Sequence, residues 1–165
     1  SNATPSSFCM EAGRMRSLRI VCVFAALAIL QSARAAPPAE LGPIEGKVVW
    51  VDFWASWCVP CRRSFPWMNT MHDKYAEQGL QIVAVNLDKE RALADGFLAE
   101  TPAKFTVRFD PAAKLAKQFE VQAMPSSYLL DAAGNVIAKH FGFKLADASE
   151  YEAEIKDALA TSAKH

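Results

Sequence analysis

Cys58 and Cys61 stand two residues apart in the run Trp57-Cys58-Val59-Pro60-Cys61. Two thiols at this spacing close into a disulfide and reopen, so the chemistry they offer is thiol-disulfide exchange. The pair falls where an apolar, β-branched run ends at Trp54 and a helical pattern begins at Arg62. A cysteine at a helix N-terminus has its thiolate stabilised by unpaired backbone N–H groups and by the helix dipole. Cys58 is therefore the expected attacking sulfur. Cys61, one turn further in, is the expected resolving sulfur that breaks the mixed disulfide. Val59 and Pro60, between the two sulfurs, tune the reduction potential, and Pro60 suits a first helical turn where its missing N–H costs nothing.

Asp52 lies six residues before Cys58 inside the apolar run. A carboxyl group buried there has a raised pKa and is placed to accept the Cys61 proton as the mixed disulfide resolves. Trp57 adjoins Cys58 and is expected over the dithiol, shielding it and offering substrates an apolar contact. Trp50, Trp54 and Trp67 read as packing residues. Arg62 and Arg63 follow the dithiol and read as solvated helix charges with a possible steering role.

The elements that must hold these groups follow from hydrophobic period. Val48 to Phe53 is nearly all apolar, as a central strand covered on both faces would be. The helix after the cysteines is expected to reach Gln78, end at Gly79, bend at Pro66 and bury Phe65, Met68, His72 and Tyr75. Gln81 to Asp88 reads as a second buried strand. Glu90 to Glu100 reads as a helix with Leu93, Phe97 and Leu98 on one side. Thr106 to Asp110 is a strand and Pro111 to Phe119 a short helix. Tyr128 to Leu130 and Asn135 to Phe141 pair through a turn at Asp131 to Gly134, and a last helix is capped by Asp147 and Glu150, with Tyr151, Ile155 and Leu159 inward.

The stretch VDFWASWCVPC resembles the active-site segment of thioredoxins. WCVPCRRSFPWM, followed by Ala123-Met124-Pro125-Ser126-Ser127, resembles the TlpA/ResA type of periplasmic thioredoxin-like proteins. The resemblance runs from Gly46 to the C-terminus. It implies an α/β thioredoxin-like fold, a mixed sheet of about five strands flanked by helices, with an extra helix-strand insertion between Asp88 and Pro125. It also implies a cis Met124-Pro125 bond, with the Met124 backbone facing the cysteines and pairing with an extended substrate. Family members often carry a β-hairpin before the first core strand; here few residues are left for one, which implies a trimmed N-terminal edge.

Residues 1–3 look like the remnant of a cleaved tag, and 4–35 like an upstream extension with a cleavable signal peptide. Arg16 and Arg19 precede the apolar run Ile20 to Leu30, and Ala33-Arg34-Ala35 is a small-x-small cleavage site, so the natural start falls at Met15 or Met10. An uncleaved anchor fits less well, because a span needs about 20 apolar residues and Arg19, Gln31 and Arg34 interrupt this one. Residues 36–46 form a Pro- and Gly-rich lead-in and 47–165 the domain. Of four cysteines, Cys9 and Cys22 leave with the leader, so the exported chain keeps one pair for exchange and no structural disulfide.

From Ala36 onward 14 Lys and Arg face 17 Asp and Glu, a net charge of −3 that argues against nucleic acid as partner. His72, His140 and His165 show no ligand spacing, so no metal site is expected. A single peroxidatic cysteine pocket is missing too. The expected protein is a monomeric periplasmic thiol-disulfide oxidoreductase, an enzyme needing no cofactor beyond the Cys58/Cys61 pair. Val59-Pro60 resembles reductases of the TlpA type, which implies a membrane electron donor of DsbD or CcdA type. The implied clients are proteins with disulfides, such as apocytochrome c or copper-delivery proteins of cytochrome oxidase. The alternatives are a DsbA-like oxidant and a non-enzymatic Cu(I) carrier using the two thiols and Met124.

Overall fold

Residues 41–42 and 48–163 are described by the computed structural model. Within them Val48–Trp54 forms β1, buried along its whole length as a doubly covered strand should be. The chain then builds α1 (Cys61–Tyr75), β2 (Leu80–Asn86), α2 (Arg91–Glu100), β3 (Thr106–Phe109), α3 (Lys114–Gln118), β4 (Ser126–Leu130), β5 (Val136–Phe141) and α4 (Ala148–Ser162). The five strands make one mixed sheet in the order β3-β2-β1-β4-β5. β1 runs parallel to β2, and β2 to β3; β4 runs antiparallel to β1 and to β5.

Alternation along β1 divides the core. Trp50 and Trp54 point to the face that carries Phe65 and Met68 of α1, Phe97 of α2 and Ile155 of α4. Val49, Val51 and Phe53 point to the other face, against Leu115 of α3, Phe119 just after it and Tyr128 of β4. Leu41 is buried in this second layer, and its carbonyl accepts a hydrogen bond from Arg108 Nε at 3.3 Å. Gly42, at φ 78°, lies so near that a Cβ there would stand 2.6 Å from an Arg108 nitrogen. The tag remnant, the leader, its cleavage after Ala35 and most of the lead-in lie outside the described residues. Among the described residues no helix is long and apolar enough to cross a membrane.

Several local expectations shift. α1 stops at Tyr75 and tightens into a 3-10 turn over Ala76–Gln78, closed by Gly79 at φ 104°. Its buried stripe is Phe65, Met68 and Met71, with His72 and Tyr75 only half-buried, because the helix packs along the i, i+3 row. Pro66 sits inside α1. On α2 it is Ala94 and Phe97 that are buried, while Leu93 is 50% exposed. β2 begins one residue before Gln81 and ends at Asn86, short of Asp88, which turns inward to hold the Ser56 main chain and hydroxyl. α3 starts only at Lys114 because the Asp110 carboxylate accepts the N–H groups of Lys114 and Ala116, at 2.8 and 3.2 Å. Asp147 occupies the N-cap of α4 without a capping hydrogen bond: its carboxylate receives Tyr151 Oη at 3.5 Å instead. Tyr151, Ile155 and Leu159 are buried as expected.

Candidate active site

Cys58 and Cys61 form a disulfide with Cα atoms 5.3 Å apart. Both residues are almost wholly buried, Cys58 at 3% and Cys61 at 0% exposure. β1 delivers them: the strand ends at Trp54, a turn over Ala55 to Trp57 closes with the Cys58 N–H on the Ala55 carbonyl at 3.1 Å, and α1 opens at Cys61. Cys61, not Cys58, is thus the first helical residue. The N–H groups of Cys61, Arg62 and Arg63 donate to the carbonyls of Cys58, Val59 and Pro60 at 3.0–3.2 Å. The donors that the sequence left unpaired are taken up by these tight turns, so in the disulfide form the helix field rather than free N–H groups acts on Cys58.

Asp52 lies on β1 between Trp50 and Trp54, on the face that carries both cysteines. It is fully buried, and burial pushes its carboxyl pKa up to about 7, a rise that a hydrogen bond from Ser127 partly opposes. Ser127 Oγ donates to Asp52 Oδ1 at 2.6 Å; Oδ2 has no hydrogen-bond partner among the described residues. The Asp52 side chain therefore has one anchored oxygen and one free to take a proton. Ser127 had no role in the sequence reading. Its signal was present in the Pro125-Ser126-Ser127 segment, but only the pairing of β4 with β1 sets it opposite Asp52.

Trp57 is 70% exposed beside Cys58, and Val59 is 62% exposed. Trp54 is buried edge-on against Phe65, ring centroids 4.9 Å apart. Trp50 is buried as well, stacked on His140, whose Nε2 lies 2.7 Å from Glu154 Oε2. Arg62 pairs with Glu100 at 2.8 Å and lies over the Phe97 ring, tying α1 to α2. The Met124-Pro125 bond is cis. The segment is braced by Ser126 Oγ on the Ala123 carbonyl at 2.6 Å and by the Gly142 N–H on the Pro125 carbonyl at 2.8 Å. An open groove of about 700 Å³ runs beside Met124, its walls including Lys117, Phe119, Tyr128, Lys139 and Phe141. Among the described residues no group of three or more His, Cys, Asp or Glu side chains converges as a metal site.

Sheet, helices and a Cys-x-x-Cys pair at the mouth of α1 define a thioredoxin-like domain. The Redoxin family model matches residues 35–155, and the chain belongs to that family. Among curated proteins it is similar to the thiol-disulfide oxidoreductase ResA of Bacillus cereus, 35% identical over 103 residues, or 62% of this chain and 60% of that protein. ResA of Bacillus subtilis is 31% identical over 98 residues, 59% of this chain and 55% of the other. The chain thus spans about 60% of the length of the curated relatives it matches. A solved candidate thiol:disulfide interchange protein DsbE from Chlorobium tepidum superposes with a TM-score of 0.68 at 51% identity, covering 70% of this chain and 82% of that one. StoA from Bacillus subtilis shares the fold, with a TM-score of 0.59 at 24% identity over 67% of this chain and 84% of its own.

Proposed function

We propose that this protein is a periplasmic thiol-disulfide oxidoreductase working as a reductase of exported client proteins. The observation that carries the reading is the Cys58–Cys61 pair at the opening of α1, set over a buried Asp52 on the same face. In the reduced enzyme the Cys58 thiolate attacks a client disulfide. A Cys58–client bond forms and the client's other sulfur leaves as a thiolate, which takes up a proton. Asp52 then accepts the Cys61 proton, and the Cys61 sulfur attacks Cys58. The client's second thiol is released and the enzyme is left as the disulfide.

Trp57 and the Met124-Pro125 backbone hold the client. Among the described residues the Met124 main chain makes no hydrogen bond, which leaves it available for pairing with an extended strand. Val59 and Pro60 set the potential. No cofactor takes part, and two electrons per cycle come from a membrane donor of DsbD or CcdA type. The leader pattern over Met15 to Ala35 supports export, and the TlpA/ResA resemblance supports clients in cytochrome c maturation or copper-site assembly.

The test is the equilibrium potential of the Cys58/Cys61 couple against a thiol-disulfide buffer. A value near thioredoxin's, roughly −270 mV, supports a reductase. A value near that of DsbA, roughly −120 mV, replaces it with an oxidant that inserts disulfides.

A further inference from the structure

Trp57 is exposed and Ser56 half-buried, so little apolar packing holds the tip of the turn that presents Cys58. Hydrogen bonds hold it instead. The Asp88 side chain, on a residue only 6% exposed just beyond β2, receives the Ser56 N–H on Oδ2 and the Ser56 hydroxyl on Oδ1, each at 2.9 Å. Asn86 Nδ2 donates to Oδ2 at 2.8 Å, and the Asp88 N–H returns to Asn86 Oδ1 at 3.1 Å, which fixes the carboxylate itself. The Leu87 N–H donates to the Trp54 carbonyl at 2.9 Å, carrying the β1–β2 ladder one step past Trp54. A buried carboxylate is costly unless donors converge on it, and here three do.

We propose that Asp88 is a positioning residue for Cys58: by gripping both donors of Ser56 it fixes the Ala55–Trp57 turn and so sets how readily the Cys58–Cys61 disulfide closes. Cys61 has further anchors that the turn lacks, as the first residue of α1 and by full burial. The ease of closing a disulfide depends on the effective concentration of one thiol at the other, and that concentration falls when one of them rides on a loose loop. The exchange is reversible and balanced. The protein dithiol and oxidised glutathione give the protein disulfide and two reduced glutathiones, with two electrons and two protons leaving the protein. The inference rests on the Cys58/Cys61 pair being such a couple.

The experiment measures the glutathione equilibrium constant of the wild type, Asp88→Ala, Ser56→Ala and Ser56→Thr, with the melting temperature of each in both oxidised and reduced form. The expected result is a fall of about tenfold in the constant for Asp88→Ala, a rise in potential of ~30 mV for a two-electron couple. Its oxidised form should lose more stability than its reduced form. Ser56→Ala should move the same way by less, and Ser56→Thr, which keeps the hydroxyl, should stay near wild type. Equal losses of melting temperature in both forms with an unchanged constant would overturn the proposal and leave Asp88 as scaffold alone. Should Asp88→Ala not fold, Ser56→Ala decides by the same comparison. A wild-type pair that does not equilibrate with glutathione at all removes the oxidoreductase reading itself, and this inference with it.

Discussion

Ser127 Oγ donates a 2.6 Å hydrogen bond to Asp52 Oδ1, and the two residues are direct antiparallel partners across β4 and β1. One carboxylate oxygen is thereby fixed, and the other is buried without a partner among the described residues. The bond keeps a strand carboxyl inside an apolar layer rather than swung out to solvent.

Asp52 should make stability fall as pH rises. Its folded pKa, about 7, lies above the ordinary carboxyl value of 3.8, so between these values the native state binds more of this proton than the unfolded chain does. The ionised form is the one burial penalises. The penalty is absent below pH 3.8 and complete above about pH 7, where it is on the order of 4 kcal/mol at most. Urea unfolding of Asp52→Asn should show a stability gain over wild type at pH 8 that shrinks toward pH 4. A constant gap would remove the buried-carboxyl argument.

The same group should govern resolution. In Asp52→Asn, Cys58 still attacks, so mixed disulfides form at a near-normal rate, but their breakdown by Cys61 slows by about 10²-fold, the lower range for loss of a general base. Single-turnover quenching with an alkylating agent separates the two steps. Equal slowing of both would place Asp52 elsewhere in the mechanism.

Ser127→Ala removes the hydrogen bond that lowers the Asp52 pKa, so the carboxyl should ionise at still higher pH. The pH at which turnover reaches half its maximum should move up, with the maximum itself retained. A profile that keeps its midpoint would mean the Ser127 hydroxyl does not tune Asp52.

The two cysteines should separate cleanly. Cys58→Ser abolishes insulin reduction, whereas Cys61→Ser leaves attack intact and accumulates mixed disulfides that reducing agent reverses. If Cys58→Ser rather than Cys61→Ser trapped clients, the assignment of attacker and resolver would be reversed.

Leu41, ahead of β1, is fully buried against the second core layer. Leu41→Ala should cost about 2–5 kcal/mol in denaturant unfolding, with the potential of the cysteine pair unaltered. A cost below about 0.5 kcal/mol, the usual range for a surface substitution, would show that Leu41 is not part of the core.

What the sequence determined alone is what local geometry controls. The two-residue gap between Cys58 and Cys61 permits the disulfide in any chain, and the unbroken apolar run of β1 demands cover on both faces. Gly79 and the Asp131 to Gly134 turn mark ends because only short-range backbone rules act there. The burial of Met71 rather than His72, and of Ala94 rather than Leu93, was decided by which helix row met the sheet, and hydrophobic period leaves that rotation open by a residue. Asp110 cut short the start of α3, and Asp147 turned to Tyr151 instead of capping α4, because polar side chains choose among partners that packing brings near. The site divides in the same way. The sulfurs and Asp52 lie in one short stretch of the chain, whereas Ser127 stands 75 residues from Asp52 and Asp88 stands 32 from Ser56. Hydrogen bonds between residues so distant exist only once β4 and β2 have flanked β1, since strand register, and not composition, selects which side chains face each other.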